Sequence, residues 1–245
     1  ADWYDQSGNG NDASQSASAN MPDIFSGLSP STLIAENGKP VLYFYGQNRL
    51  ELSSLSSLTA GEVFYTIRSK NDPIVGGHGA FMRLGGGAPG FYPYSGGTYG
   101  YIFGSFGNTT RHYTALPASV TSQLNIYNQS SISGEWRAAL NGSDFYTTTS
   151  NTVIFPTNPR IGYDQDAYIT NYHLAELVLF DSKQSTANRT GIETNINTFY
   201  SIYNEASTSG FLFDYPGAAT AYSVRQLGNG AAKSMRVQRL TGGGT

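Results

Sequence analysis

A turn-rich segment close to residue 1 restricts the folds open to this chain. An aromatic pair runs directly into eight residues dominated by glycine, asparagine and aspartate: Trp3-Tyr4-Asp5-Gln6-Ser7-Gly8-Asn9-Gly10-Asn11-Asp12. Glycine and asparagine tolerate positive φ, which neither helices nor regular strands use. The segment therefore predicts a short strand followed by a tight turn.

Strand-like runs recur along the chain at short intervals, separated by turn residues, which is the pattern of an all-β protein. Alternating or aromatic-rich runs predict strands over residues 41–45, 62–69, 99–106, 122–128, 133–140 and 159–163. Asn141-Gly142 lies between two such runs and predicts a β-hairpin that joins residues 135–140 to 144–148. The glycine-rich segment 76–97 is predicted to be a long loop with one strand at residues 80–84.

The last strand and a following helix are predicted from residues 173–202. Residues 173–181 are almost continuously apolar, which is typical of a strand buried on both faces. Ser185 is suited to cap a helix over residues 186–202, whose apolar side chains fall on one stripe. We expect one core cluster to join this strand to this helix, formed by Leu174, Leu177, Leu179, Phe180, Ile192, Ile196 and Phe199.

The segment that begins at Trp3, together with Asn37-Gly38-Lys39-Pro40-Val41-Leu42-Tyr43-Phe44-Tyr45-Gly46, resembles the concanavalin A-like lectin/glucanase superfamily. It is most similar to the laminin-G/pentraxin-type modules of phage virion and microbial surface proteins. The resemblance spans residues 3–203 and implies an all-β, concanavalin A-like jelly-roll sandwich of two antiparallel sheets with one short C-terminal helix. The expected organisation is a sandwich at 1–203, a linker at 204–210 and a β-rich trailing segment at 211–245. The superfamily includes both lectins and glycosidases, so the resemblance leaves the chemistry open.

The trailing segment resembles an opening rather than a closing segment of such domains, and more distantly the catalytic domain of glycoside hydrolase family 54. In the usual order of segments in such domains, the counterparts of residues 222–227 and 234–239 precede the strand at Trp3. A two-stranded hairpin is marginal in water, so we expect these strands to pair with another domain or subunit. The predicted assembly residues are Phe211, Phe213, Tyr215, Tyr222, Val224, Leu227 and Val237.

Composition narrows the classes of partner. Only 13% of residues are charged and the formal net charge is −3, so there is no basic surface for nucleic acid. No apolar run approaches the ~20 residues of a membrane helix. The chain has no cysteine, which excludes a disulfide framework and a thiolate metal site. The resemblance implies an extracellular location on a virion or cell surface.

Sugar binding is predicted from the surplus of tyrosine and asparagine in the loops, because sugars are held by aromatic faces and by hydrogen bonds to amides and carboxylates. Subunit contact is the alternative, since tyrosine is also enriched at interfaces. The candidate residues are Tyr92, Tyr94, Tyr99, Trp136, Tyr163, Asp164, Asp166, Tyr168, Asn171 and Tyr172.

Metal and catalytic sites have weaker support. Asp5, Asn9 and Asn11 match part of a calcium-loop register, but Ser16 stands where the bidentate carboxylate belongs, so turn capping is favoured and calcium is the alternative. Glycosidases need two facing carboxylates. Glu135, Glu176, Asp164 and Asp166 are the candidates, whereas His78, His112 and His173 match no metal or catalytic spacing.

These observations predict a non-enzymatic structural or adhesive surface module. The favoured version is a phage virion protein (a fibre, decoration or receptor-binding domain) that assembles through its tail and binds host glycans. A secreted bacterial adhesin or filament subunit is the alternative, and an arabinofuranosidase-like hydrolase is the second alternative.

Overall fold

The computed structural model describes residues 2–70, 78–86, 90–96, 98–115, 119–163, 170–203, 222–227 and 234–239. The chain divides into two compact units, Ala1–Tyr203 and Asn204–Thr245. The first unit is a β-sandwich of two antiparallel sheets, as the sequence predicts. Among the described residues, neither helix combines the length and apolarity needed to cross a membrane.

Sheet A has eight strands in the order β1-β2-β6-β15-β8-β9-β10-β11. These are β1 (Asp2–Trp3), β2 (Ala13–Ser14), β6 (Arg49–Glu51), β15 (Arg160–Gly162), β8 (His78–Arg83), β9 (Gly90–Gly96), β10 (Thr98–Gly104) and β11 (His112–Ala115). The segment 76–97, predicted as a long glycine-rich loop with one strand, is therefore mostly sheet, because β8 and β9 both lie within it. The strand β9 was not predicted because glycine and proline are rare in regular strands. The pairing of β9 with β8 and with β10 contains repeated register shifts.

Sheet B has six strands in the order β14-β13-β12-β7-β16-β5. These are β14 (Ser143–Thr148), β13 (Glu135–Leu140), β12 (Asn125–Ile132), β7 (Gly61–Ser69), β16 (Thr170–Phe180) and β5 (Leu42–Gly46). The predicted hairpin at Asn141-Gly142 is confirmed, since β13 pairs with β14 and both turn residues have positive φ, 50° and 79°. Strand β5 is one of the two edge strands of sheet B and lies beside β16, the longest of the described strands.

The remaining elements are short apart from one helix. Helix α2 (Thr186–Tyr200) confirms the prediction, and the Ser185 side chain accepts a hydrogen bond from the Asn188 N–H as its cap. The other elements are a single helical turn, α1 (Ser119–Ser122), a 3₁₀ turn at Ser18–Asn20, and a small pair of strands, β3 (Ala35–Glu36) and β4 (Lys39–Pro40).

The main core lies between the two sheets. Both sheets contribute side chains with exposures of 2% or less, among them Leu50, Tyr92 and Ile161 from sheet A and Phe44, Tyr65, Trp136 and Tyr172 from sheet B. A second, smaller core lies between sheet B and α2, where Phe64, Leu124 and Ile126 meet Ile196, Tyr200 and Ile202.

The predicted single cluster between the last strand and the helix is wrong, because β16 contributes to both cores. Leu174, Leu177 and Leu179 belong to the core between the sheets, whereas Val178 and Phe180 pack with Ile192 and Ile196 beneath the helix. Phe199 belongs to neither core and is 55% exposed. A register shift between Leu174 and Glu176 changes which residues of β16 face each core.

The second unit contains strands β17 (Tyr222–Leu227) and β18 (Ser234–Arg239), which pair antiparallel with Val224 opposite Val237. The predicted residues Phe211, Phe213 and Tyr215 lie outside the described residues.

Candidate functional site

The outer face of sheet B carries a set of aromatic and polar side chains at its β5 edge. Alternation along β5 sends Phe44 into the core, where its ring stacks on Tyr172 with centroids 5.0 Å apart. Tyr43 and Tyr45 therefore lie on the opposite, outer face. In the paired strand β16, Tyr43 lies opposite His173 and Tyr45 opposite Asn171. An isolated β-bridge places Asp23 on the other side of Tyr43.

We call Asp23, Tyr43, Tyr45, Asn171 and His173 the tyrosine face. The two tyrosine ring centroids lie 5.4 Å apart with an interplanar angle of 31°. Tyr45 is 49% exposed. The Tyr43 hydroxyl donates to Asn171 Oδ1 at 3.1 Å, which orients the amide. Burial, followed by the proximity of Tyr45 and Asp23, raises the pKa of Tyr43, so its hydroxyl is protonated at neutral pH.

A partly buried ion-pair network supports this face. Arg68 Nη1 donates to both Glu36 carboxylate oxygens at 3.0 and 2.8 Å, and His173 Nδ1 lies 2.5 Å from Glu36 Oε1. Burial acts to raise the pKa of Glu36, but the bonds from His173 and Arg68 outweigh it, and the pKa is lowered. The ionised Glu36 therefore fixes the His173 ring, which in turn packs edge-on against Tyr43 with centroids 5.1 Å apart.

Of the sequence-predicted sugar residues, Asn171 lies on the tyrosine face. Tyr92, Trp136 and Tyr172 are corrected to core residues, because their exposures of 0%, 1% and 0% leave no ring face for a ligand. Tyr163 is partly buried after β15, while Tyr94 and Tyr99 lie in β9 and β10. The remaining candidates, Asp164, Asp166 and Tyr168, lie outside the described residues.

Sequence reasoning missed Tyr43, Tyr45 and Asp23. The signal that could have found the tyrosines is the alternation in Leu42-Tyr43-Phe44-Tyr45, which separates Phe44 from its two neighbours. Asp23 carried no local signal, because its place depends on a bridge to a strand twenty residues further along the chain.

The turn near residue 1 is organised around Asp5. Its carboxylate accepts hydrogen bonds from the backbone N–H groups of Ser7 and Asn11 at 2.8 and 3.0 Å and from the Ser7 hydroxyl at 2.8 Å. These bonds, led by the one from Asn11, lower the pKa of Asp5 to about 2. Asp5 therefore acts as a turn cap. Within the described part of the chain, no group of three or more His, Asp or Glu side chains could hold a metal ion.

The two catalytic candidates that can be located, Glu135 and Glu176, lie on β13 and β16, which β12 and β7 separate in sheet B. Glu135 Oε1 accepts from Lys183 Nζ at 2.5 Å. Glu176 lines a groove of about 580 Å³ between β16 and α2, together with Asn188 and Asn195. Burial raises the pKa of Glu176, and a hydrogen bond with Tyr200 partly offsets this. His112 packs between Trp136 and Tyr146, with centroid distances of 4.7 and 4.8 Å, and burial lowers its pKa.

No family model and no curated protein matches the chain. Similar solved structures include the receptor-binding domain of botulinum neurotoxin type G, with 8% identity, a TM-score of 0.54, and coverage of 79% of this chain and 48% of that chain. A second similar structure is from botulinum neurotoxin type C, a toxin described as dependent on interaction with two ganglioside molecules for cell entry. It has 9% identity and a TM-score of 0.51, and the match covers 79% of this chain and 48% of that chain. Trypanosoma rangeli sialidase in complex with sialic acid has 9% identity, a TM-score of 0.52 and coverage of 77% and 30%.

The likeness is one of fold. At these identities it shows the β-sandwich fold alone, and this chain spans less than half the length of each of these three structures.

Proposed function

We propose that the sandwich is a glycan-binding module of an extracellular surface and that the tyrosine face binds the sugar. The observation that carries the proposal is the pair of adjacent, partly exposed tyrosine rings flanked by a carboxylate and an amide. A pyranose ring presents an apolar face that packs on an aromatic ring, and its hydroxyls need acceptors and donors at the rim. The face offers both kinds of contact.

The arrangement is also rigid, which favours binding because few side chains must be ordered when the ligand arrives. The two tyrosines and Asn171 project from paired strands, and the partly buried Glu36–Arg68 pair holds His173 beside them. Two of the similar structures add support at the level of fold, since one is described with gangliosides and the other with sialic acid.

Glycan-array screening followed by calorimetric titration of the best ligand tests this proposal. We expect Tyr45→Ala to weaken binding by up to about tenfold, because an aromatic contact contributes roughly 0.5–1.5 kcal/mol. Asp23→Asn should weaken binding without changing the fold. Tyr113→Ala is the matched control, since Tyr113 is 60% exposed on β11 of sheet A. Equal affinities for Tyr45→Ala and the parent chain would contradict the proposal.

We propose further that the module is adhesive and does not hydrolyse its ligand. A phage virion is the favoured owner and a secreted bacterial adhesin the alternative, on the strength of the sequence resemblance. Incubation with arabinan and related glycans should release no sugar. Release that disappears in Glu176→Gln would instead support the arabinofuranosidase-like alternative.

Assembly through residues 211–239 is the second function that we propose. Two paired strands are marginally stable alone and present edges to which another sheet can add. Addition to another subunit would link copies head to tail. Light scattering after size exclusion should show assemblies for the full chain and monomers for a chain ending at Tyr203. Assemblies of equal size from both chains would contradict this role.

A further inference from the structure

A hairpin beside the tyrosine face exposes an unusual amount of apolar surface. Of the large apolar side chains that are exposed among the described residues, four lie within residues 24–33: Ile24 at 43%, Phe25 at 55%, Leu28 at 75% and Leu33 at 45%. A bridge pairs Phe25 with Leu33, and the chain turns between them. We call residues 24–34 the apolar hairpin.

The apolar hairpin is anchored to the sandwich at its base. Asp23 N and Tyr43 O lie 3.0 Å apart, Tyr43 N and Asp23 O lie 2.7 Å apart, and Val41 N donates to Ile34 O at 3.1 Å. Asp23, a member of the tyrosine face, directly precedes the hairpin in the chain, so both surfaces lie at the same edge of sheet B.

Residues on both arms of the hairpin are hydrogen-bonded to each other. Ser26 N donates to Thr32 O at 2.8 Å, and Ile34 N donates to Ile24 O at 2.9 Å. The Ser31 hydroxyl donates to Ser26 O at 2.6 Å, and Thr32 N donates to the Ser26 hydroxyl oxygen at 3.1 Å. The sequence from Ile24 to Ala35 contains no charged residue.

We propose that the apolar hairpin is a lipid-binding element that inserts its tip into the interfacial region of a membrane. Insertion into the interfacial region is favoured by exposed apolar side chains and by the absence of charge, and the hairpin combines both. Its two arms also make backbone hydrogen bonds to each other, which lowers the number of polar groups to be desolvated. A protein partner fits less well. Protein interfaces draw their binding energy from Trp, Tyr and Arg, whereas Leu, Ser and Thr, which make up most of this hairpin, are under-represented among such residues.

The absence of cysteine allows a single-site test on the full chain. Leu28→Cys labelled with an environment-sensitive dye is mixed with glycan-free phosphatidylcholine vesicles. We expect a blue shift and brighter emission, with quenching by brominated lipid. Tyr113→Cys, labelled in the same way, is the matched control and should show no change. A spectrum for labelled Leu28→Cys that vesicles leave unchanged would overturn the proposal.

Two further measurements complete the test. The double variant Phe25→Ser, Leu28→Ser should lower vesicle partitioning by about tenfold or more in a flotation assay, because two large apolar side chains are removed. A blue shift that appears without vesicles as protein concentration rises would mean that a second copy covers the hairpin, which would also overturn the proposal. Tyr45→Ala should leave partitioning into glycan-free vesicles intact, so failure here is distinct from failure of glycan binding.

Discussion

Charged side chains lie beneath helix α2, where apolar contacts alone would be expected. Glu62 is fully buried and accepts hydrogen bonds from Asn128 Nδ2 at 2.9 Å and from Gln184 N at 2.7 Å. Arg137 donates to Asn128 and, through Nε, to Asp144 at 2.7 Å. Glu193 is 7% exposed, and its Oε1 has no hydrogen-bond partner among the described residues. The network is therefore complete at every member except Glu193.

Glu193→Gln should stabilise the protein at neutral pH by roughly 1 kcal/mol, since it removes a desolvated charge. Burial raises the pKa of Glu193, and Arg137 and Arg189 only partly offset this. The folded state then binds a proton more readily than the unfolded state, so the parent's stability falls as pH rises from the ordinary glutamate pKa through the raised one. Melting temperatures should show the gain of the variant at pH 7 and little of it at pH 4. Glu135→Gln, a surface control, should change little at either pH, and a pH-independent gain for Glu193→Gln would contradict the prediction.

Two apolar residues on helix α2 should differ sharply in how much stability is lost when each is replaced by aspartate. Ile196 is 3% exposed in the second core, whereas Phe199 is 55% exposed. Ile196→Asp should unfold the domain, because an unpaired buried charge costs several kcal/mol. Phe199→Asp should change the free energy of unfolding by about 0.5 kcal/mol or less. Urea unfolding distinguishes the two, and similar losses from both variants would mean that the helix is oriented differently.

At the scale of elements, the sequence predicted most strands and the long helix, but not which face of the helix is buried. Successive helix residues are rotated by roughly 100°. The buried residues Glu193, Ile196, Asn197 and Tyr200 therefore form an arc that Phe199 lies outside. The prediction from the apolar stripe missed this arc because it left out Asn197, a polar residue that is buried. The Asn197 side chain accepts hydrogen bonds from the N–H groups of Ile202 and Tyr203 at 3.1 and 2.9 Å.

The candidate site was less predictable than the fold. Tyr43 and Tyr45 lie in a predicted strand, but their exposure depends on β5 being at the end of its ladder, next to β16. Trp136 and Tyr172 were predicted to bind sugar because they are aromatic, and the same property placed them in the core. Residue type alone could not distinguish the two outcomes, since both follow from strand pairing between distant segments.

The hairpin turn between β13 and β14 allows backbone and side-chain effects to be separated. Asn141 has a φ of 50°, its Oδ1 accepts from Ile126 N at 2.9 Å, and its Nδ2 donates to Asn125 Oδ1 at 2.9 Å. Asn141→Ala should destabilise by about 2–3 kcal/mol, because it loses both bonds and its conformation is disfavoured. Asn141→Gly should lose less, since glycine adopts this φ freely. Chemical denaturation measures both free energies of unfolding, and equal stability of the two variants would contradict the prediction.

At the scale of the whole molecule, the unit Ala1–Tyr203 contains both apolar cores. We expect a chain ending at Tyr203 to unfold cooperatively, with a melting temperature within about 3 °C of that of the sandwich transition in the full chain. Differential scanning calorimetry measures both. A non-cooperative transition in the shortened chain would show that residues 204–245 are needed for the sandwich to fold.

The register shift in β16 affects how the tyrosine face can change during evolution. The additional residue at Ala175 separates a first half, with Asn171 and His173 on the outer face, from a second half, whose Val178 and Phe180 lie under the helix. Strand β5 pairs with the first half, whereas β7 continues past the shift and aligns the second half. Substitutions in the first half that alter ligand preference should therefore leave the pairing of the second half intact. The tyrosine face can acquire a new specificity while the packing of helix α2 is retained.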